Sequence, residues 1–206
     1  MSLTQQQIYH WLIQCSQTFA HEQNNLTELD TAIGDGDHGL NMNRGFQKVA
    51  EKLPSVQDKD IATLLKTTGM TLLSSVGGAS GPLFGAFFIK ASQSVVGKES
   101  LNVADLSELI KAGTAGIVSR GKAEPNDKTM CDVWWPVCES LEKSVSLPLN
   151  TAIDAAVEAA KQGVASTIPM QARKGRASYL GERSIGHADP GGMSVLLMLD
   201  TLKKSI

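Results

Sequence analysis

The chain has 206 residues, a formal net charge of −2 and 42% hydrophobic residues. This length suits one domain with a buried core, and the balanced charge lacks the basic footprint of a nucleic-acid-binding protein. No segment reaches the ~20 apolar residues of a membrane-spanning helix, and the N-terminus lacks the pattern of a signal peptide. We therefore expect one domain over 1–206, in the cytoplasm, that contacts neither membrane nor nucleic acid.

The cysteines predict neither a disulfide nor a zinc site. There are three of them, and Cys131 and Cys138 are too far apart on one predicted helix to pair. No set of cysteines and histidines has zinc-ligand spacing. Cys15, Cys131 and Cys138 are therefore predicted to be buried thiols in a reducing compartment.

Apolar residues recur at helical spacing through the first part of the chain. A capping box at Thr4 predicts a helix over 4–20, and a second apolar stripe predicts a helix over 26–34. Asp37 is predicted to be the N-cap of a third helix, which ends at Pro54.

Three aspartates lie close together where the second of these helices ends. The turn reads Gly34-Asp35-Gly36-Asp37-His38-Gly39, and Asp30 lies on the inward edge of the helix before it. The glycines let the backbone fold tightly enough to aim all three carboxylates at one point. Such oxygen ligands favour magnesium or calcium, although the spacing excludes an EF-hand. An ordinary glycine turn with a capping aspartate is the alternative interpretation.

A glycine-serine loop follows the fourth predicted helix, which covers 60–76. The loop reads Gly77-Gly78-Ala79-Ser80-Gly81-Pro82-Leu83-Phe84-Gly85. Glycines before a helix start expose backbone N–H groups and the positive end of a helix dipole, which suits phosphate oxygens. The sequence is neither a Walker A motif nor a dinucleotide fingerprint. A flexible connection between helices is the alternative.

Four further helices are predicted in the middle of the chain, over about 82–93, 106–120, 130–141 and 150–168. A polar loop beginning at Gly121 precedes the third of them. Asp127 is predicted as its N-cap, and Pro136 inside it predicts a kink because proline removes a backbone hydrogen bond.

A long polar loop, 173–191, precedes the closing helix, which Asp189 and Pro190 are predicted to start. Structureless loops of this length are uncommon and usually functional. A solvated basic loop is the alternative. The side chains in it that suit phosphate charge are Arg173, Arg176, Arg183 and His187.

No stretch shows the alternation of a β-strand, so the sequence predicts an all-α bundle of about eight antiparallel helices. Alternate connections of such a bundle emerge at the same end. We therefore expect the aspartate turn, the glycine-serine loop, the Gly121 loop and the arginine-containing loop to form one site.

Three separated stretches, taken in order, resemble the nucleotide-binding L-subunit family of dihydroxyacetone kinases. They are the aspartate turn, the glycine-serine loop, and Lys174-Gly175-Arg176-Ala177-Ser178-Tyr179-Leu180-Gly181-Glu182-Arg183-Ser184 with Asp189-Pro190-Gly191. The resemblance covers essentially the whole chain and is closest to the bacterial type, in which this subunit is a separate protein. It implies a barrel of eight antiparallel helices, with the nucleotide site in loops at one rim.

The resemblance also implies which residues bind ligands. Asp30, Asp35 and Asp37 would hold two magnesium ions, and no nucleophile constellation for covalent catalysis is present. The residues implied to border ADP or ATP are His38, Gly39, Leu40, Asn41, Ala79, Ser80, Gly121, Met130, Arg176, Asp189, Pro190 and Gly191.

The function implied by the resemblance is half of a kinase. A phosphoryl group would pass from the bound nucleotide to dihydroxyacetone on a K subunit, and the ADP would be rephosphorylated by a phosphotransferase-system M subunit carrying phosphohistidine. The chain is also expected to form a homodimer. The alternatives are an ATP-exchanging kinase subunit for another acceptor, such as a fatty acid, a nucleotide-state-dependent coregulator of a transcription regulator, and a calcium-stabilised helical protein without catalysis.

Overall fold

Most of the apolar stripes seen in the sequence lie on the inner faces of helices in a computed structural model, which describes residues 2–206. This part of the chain contains nine α-helices and two 3₁₀ helices. The α-helices are α1 (Gln5–His21), α2 (Gln23–Ile33), α3 (His38–Lys52), α4 (Ile61–Ser75), α5 (Ser80–Gln93), α6 (Val103–Gly121), α7 (Cys131–Lys143), α8 (Leu149–Thr167) and α9 (Pro190–Lys204). The predicted all-α fold is confirmed.

Eight of the helices form a closed ring. Helix α1 packs on α3, each helix from α3 onward packs on the next, and α9 returns to contact α1. Helix α2 is not part of this ring; it contacts α3, α9 and the 3₁₀ helix at Arg176–Ser184. Because α2 carries Asp30, this position places one of the three aspartates beside the α8–α9 connection, residues 168–189.

Aromatic side chains fill much of the ring's interior. The rings of Phe19 and Phe46 stack with centroids 4.7 Å apart, and those of Phe87 and Trp134 stack at 4.4 Å. Each fully buried side chain of this size contributes about 2–3 kcal/mol through the hydrophobic effect. The largest fully buried apolar side chains are those of Trp11, Trp134, Phe19, Phe46, Phe84, Phe87 and Phe88.

Several local predictions are confirmed and others are corrected. Thr4 caps α1 in the predicted capping box with Gln7. One short strand pair, β1 (Leu3–Thr4) with β2 (Ser100–Leu101), was not predicted, because two residues cannot show a period-2 pattern. Pro136 lies inside α7, and the kink there remains a prediction.

The α8–α9 connection is more ordered than the sequence predicted. The 3₁₀ helix Arg176–Ser184 occupies its centre, with a left-handed Gly181 at φ 56°. Side-chain hydroxyls stabilise this helix because Ser178 and Ser184 donate hydrogen bonds to the carbonyl oxygens three residues before them. The expectation of a structureless loop is therefore wrong.

The three thiols are free, as predicted. Cys15 and Cys131 are buried as predicted, whereas Cys138 is partly exposed, which corrects its predicted burial. Burial raises the pKa of the Cys131 thiol to about 11, so it is protonated at neutral pH and chemically inert. Within residues 2–206, the helices lack the combination of length and apolar character needed to cross a bilayer.

Candidate functional site

Four connections between helices meet at one end of the ring and line a cavity of about 430 Å³. They are the aspartate turn, the glycine-serine loop, the α6–α7 loop and the α8–α9 connection. The volume lies within the range of small-molecule and cofactor sites. The structure thus brings together the loops that the sequence predicted to share one end of the bundle.

All but two of the ligand-binding residues implied by the family resemblance line this cavity. The two exceptions are Gly39, which is buried against α2, and Leu40, which is 53% exposed. The lining residues among those predicted are Asp30, Asp35, Asp37, His38, Asn41, Ala79, Ser80, Gly121, Met130, Arg176, Asp189, Pro190 and Gly191. Their roles toward a ligand stay predictions.

The three aspartates of the turn form one cluster. One carboxylate oxygen from each of Asp30, Asp35 and Asp37 lies within 4.8 Å of the others. Gly36 between the last two has a φ of 73°, and a side chain there would meet the Thr31 hydroxyl at 2.7 Å. The turn therefore requires glycine at this position to bring the carboxylates together.

Asp30 has a second function in the turn. Its Oδ2 atom accepts hydrogen bonds from the backbone N–H groups of Asp37 at 2.9 Å and His38 at 3.0 Å. Asp37 itself makes no side-chain capping bond, so its prediction as the working cap of α3 is wrong. The Asp37 backbone is already near-helical, with φ −110° and ψ −6°, unlike the extended backbone typical of a capping residue.

Gly34 leaves the other carboxylate oxygen of Asp30 unobstructed. A Cβ atom on Gly34 would lie 2.1 Å from Asp30 Oδ1, so glycine is needed for the carboxylate to keep this position. With Oδ2 bonded to the backbone, Oδ1 retains its lone pairs for another partner. Three such oxygens without a neighbouring thiol match the ligand preference of magnesium.

An ion pair links the aspartate turn to the α8–α9 connection. Arg176 Nε lies 3.0 Å from Asp35 Oδ2. Because the arginine side chain is 68% exposed, this pair contributes little to stability. It nevertheless shows that the guanidinium reaches the aspartate cluster.

The other basic side chains of the connection do not gather at the cavity. Arg173, Arg183 and His187 are exposed and do not line it, which corrects the predicted cationic group. Arg173 and His187 lie outside the 3₁₀ helix, and Arg183 follows the non-helical Gly181 that interrupts it. Lys174 lines the cavity beside Arg176.

His38 connects the N-terminal ends of two helices. Its Nδ1 atom lies 2.9 Å from the hydroxyl of Ser80, the first residue of α5. Its Nε2 atom lies 2.8 Å from the hydroxyl of Ser194, which donates to the Pro190 carbonyl in the first turn of α9. Both helix N-termini border the cavity, and their N–H groups and dipoles favour an anionic ligand there.

Burial lowers the pKa of His38 to about 4, although the charges of Asp30 and Asp37 act in the opposite direction. The imidazole is therefore neutral at pH 7. One ring nitrogen donates and the other accepts, as two serine partners require.

Stability should accordingly fall in mild acid. The pKa of His38 in the folded protein, about 4, lies below its ordinary value of 6.5. The neutral imidazole therefore contributes fully to the free energy of unfolding above pH 6.5, and this contribution is lost as the pH falls toward 4. We expect about 2 kcal/mol less free energy of unfolding at pH 5 than at pH 7.5 from this group. In urea unfolding, the difference in free energy of unfolding between wild type and His38→Gln should be smaller at pH 5 than at pH 7.5 by that amount. The variant His21→Gln, at an exposed position, is the control. A difference between wild type and His38→Gln that does not change with pH would contradict a neutral, buried His38.

The α6–α7 loop has an unusual backbone. Asn126 and Lys128 adopt left-handed conformations with φ of 68° and 60°. Asp132 supports this shape by accepting hydrogen bonds from the N–H groups of Asn126 and Thr129. The Asp127 carboxylate accepts a hydrogen bond from the N–H of Glu124, earlier in the same loop, and does not cap α7. The prediction of Asp127 as the N-cap is therefore wrong.

Lys128 is a cavity residue that the sequence analysis missed. It lines the cavity although only 2% of its surface is exposed. A single lysine in a polar loop is normally solvated, so its burial leaves no signal in the sequence.

An all-helical ring with an acidic cluster and two helix N-termini around one cavity defines a domain suited to bind an anionic ligand together with a divalent cation. Comparison with known families agrees with this. The chain belongs to the DAK2 domain family, whose model matches residues 32–204. The resemblance noted in the sequence is thereby confirmed.

The similarity to individual proteins extends over nearly the whole chain. The chain is 59% identical over 204 residues to the "PEP-dependent dihydroxyacetone kinase, ADP-binding subunit DhaL" of Escherichia coli (strain K12), covering 98% of this chain and 97% of that protein. It is 47% identical over 193 residues to the "PEP-dependent dihydroxyacetone kinase 2, ADP-binding subunit DhaL" of Listeria innocua, covering 90% and 89%.

Solved structures share the fold. The dihydroxyacetone kinase from C. freundii in complex with AMP-PNP and Mg2+ superposes with a TM-score of 0.72 at 27% identity. The native form of the C. freundii dihydroxyacetone kinase gives the same TM-score at 25% identity. The alignments cover 97% of this chain but only about a third of those kinases.

Proposed function

We propose that this chain is the ADP-binding subunit of a dihydroxyacetone kinase, with residues 1–206 as a single nucleotide-binding domain. The observation that carries the proposal is the aspartate cluster at the cavity of a chain that matches proteins named as such subunits over 89–97% of their length. The reaction is a phosphoryl transfer from the nucleotide held here to dihydroxyacetone held on a partner K subunit.

The aspartates are the proposed magnesium ligands. Asp30, Asp35 and Asp37 concentrate three negative charges at one point, and Gly34 leaves one Asp30 oxygen unobstructed. We take the number of ions as two, following the family resemblance. Magnesium, when bound, neutralises charge on the phosphate oxygens. The chain's own task is to hold the carboxylates in place, which the backbone bonds to Asp30 accomplish.

The glycine-serine loop and Arg176 are the proposed phosphate contacts. A triphosphate carries about four negative charges and the aspartates add three, so two magnesium ions offset only part of the total. The N–H groups at the start of α5, near Ala79 and Ser80, supply donors for the remaining charge. Arg176 adds a guanidinium from the α8–α9 connection, where it already reaches Asp35.

The apolar part of the cavity lining is the proposed adenine pocket. Met130 and Leu83 line the cavity together with Gly121 and Gly191. A Cβ atom on Gly191 would lie 3.2 Å from the Met130 side chain, and one on Gly121 would lie 3.1 Å from Leu83. The two glycines therefore let the backbone approach these apolar side chains closely, which suits a flat, apolar ring.

Phosphoryl transfer depends on positioning and charge stabilisation more than on covalent chemistry. The neutral His38 orients the Ser80 hydroxyl and ties it to α9, so the phosphate loop is held in one arrangement. The arrangement requires no enzyme nucleophile.

The proposal extends to the phosphoryl source and the partners. Relatives are named as PEP-dependent or PTS-dependent kinase subunits, which supports an ADP that stays bound and is rephosphorylated by a phosphohistidine-carrying M subunit. We place the protein in the cytoplasm, as a homodimer that docks successively with its K and M partners.

The test is the nucleotide and magnesium content of protein purified without added nucleotide. Acid release and chromatography are expected to yield near-stoichiometric ADP that survives extensive dialysis, and the loaded protein should support dihydroxyacetone phosphorylation when K and M subunits are added. An empty site that exchanges ATP reversibly would contradict the resident-ADP mechanism and point to a kinase subunit for another acceptor.

A further inference from the structure

Lys128 is a buried cation whose hydrogen bonds go to backbone carbonyls. Its ammonium group donates to the carbonyl of Ser184 at 2.7 Å and to that of Met170 at 3.0 Å, with the carbonyl of Ile168 at 3.5 Å. These acceptors match the three N–H donors of a lysine. The side chain therefore makes a set of specific contacts with one segment of the protein.

The bonded carbonyls lie at the two ends of the α8–α9 connection. Ile168 and Met170 directly follow α8, whereas Ser184 ends the 3₁₀ helix. Between these bonded carbonyls lie Lys174 to Ala177, four consecutive residues that line the cavity. The ammonium group thus closes the base of a loop that has Arg176 near its tip.

Two further bonds join the same ends, and a third holds the loop to the backbone of Asp127, the residue before Lys128. The Ser184 hydroxyl accepts a hydrogen bond from the Ala172 N–H at 2.9 Å. The Gly186 N–H donates to the Ile168 carbonyl, and the Arg173 N–H donates to the Asp127 carbonyl. The base of the loop is therefore bonded at several points, with Lys128 at its centre.

The backbone of Lys128 is strained, with a φ of 60° that side-chain-bearing residues rarely adopt. Such a conformation persists only where the surrounding structure imposes it, and these positions concentrate at ligand clamps and active sites. Here the strain directs the side chain inward instead of toward solvent.

We propose that Lys128 is a positioning residue that acts through Arg176. By joining the two ends of the α8–α9 connection, it holds the loop in the shape that presents the guanidinium to the aspartate turn and to the nucleotide phosphates. This inference rests on the proposed function, in which the cavity takes a magnesium–nucleotide complex.

The test is a double-mutant cycle on nucleotide binding. Lys128→Met keeps the length and removes the N–H donors, and Arg176→Ala removes the group that Lys128 positions. Protein loaded with Mg²⁺ and a fluorescent ADP analogue is chased with excess unlabelled ADP, and the loss of signal over time should show dissociation about tenfold faster for each single variant. The double variant should match Arg176→Ala alone. Lys128→Arg should restore part of the loss, and the exposed Lys66→Met variant of α4 serves as control.

Amide hydrogen exchange supplies a readout that needs no nucleotide. In nucleotide-free protein, Lys128→Met should accelerate exchange across 172–183 while leaving α4 unchanged. Should Lys128→Met fail to fold, Ser184→Ala loosens the same base through a smaller change and should give the same faster dissociation and faster exchange. Unchanged rates in either folded variant, or additive effects in the double variant, would overturn the inference. A wild-type protein that binds no magnesium–ADP would instead refute the proposed function.

Discussion

Asp35→Asn is expected to lower reconstituted kinase activity by about 10³-fold while changing the free energy of unfolding by less than about 0.5 kcal/mol. Asp35 belongs to the acidic cluster, and its side chain forms an ion pair with the exposed Arg176 side chain. Losing a cation that stabilises transferring phosphate removes several kcal/mol of transition-state stabilisation. Activity should be measured with K and M subunits in excess, and stability by urea unfolding.

Two other aspartates provide matched comparisons. Asp58→Asn, at an exposed position paired only with Lys59, should change neither activity nor stability. Asp30→Asn should reduce both, because the Asp30 carboxylate also accepts two backbone hydrogen bonds. A folded Asp35→Asn protein with full activity would contradict the magnesium assignment, and full activity together with a lower melting temperature would favour a cation that only stabilises the fold.

Gly39→Ala is expected to destabilise the protein by about 3 kcal/mol or more, among the larger effects of a single added methyl group. A Cβ atom at this position would lie 2.0 Å from the Gln23 carbonyl oxygen and 2.8 Å from the Thr27 N–H nitrogen. Both atoms belong to the backbone of α2, so relief requires α2 to move away from α3. Urea unfolding measures the loss directly.

The neighbouring residue gives the control for this substitution. Leu40 is 53% exposed and outside the cavity lining, so Leu40→Ala should change stability by less than about 0.5 kcal/mol. Gly39→Ala with wild-type stability would show that α2 shifts freely. If Leu40→Ala weakens ADP binding, the role implied by the family resemblance would hold despite the position of the side chain.

The helices were predictable because burial repeats along the sequence. Residues such as Ile8, Leu72 and Ile153 recur at the helical period, and that period survives in the folded ring. The aspartate turn and glycine-serine loop were also recognisable, since glycine and aspartate there satisfy local conformational needs. The convergence of these loops follows from the antiparallel connectivity expected of helical bundles.

Features set by distant parts of the chain were not predictable. The N–H groups at the start of α3 bond to Asp30 and not to the predicted Asp37. The shape of the turn decides which carboxylate faces these N–H groups, and proximity in sequence does not. Lys128 bonds to carbonyls more than forty residues away. Arg176 and Arg183 are both exposed, yet only Arg176 lines the cavity, and the backbone change at Gly181 separates the two.

The position of α2 outside the closed ring gives the site a stability of its own. Helix α2 buries only Leu26, Asp30 and Ile33, far fewer residues than the ring helices bury. Segments with few buried contacts open locally at a lower free energy than the whole fold. The acidic cluster therefore lies beside the helix with the fewest buried residues, and we expect amide exchange in α2 to be faster than in the helices that enclose the aromatic interior.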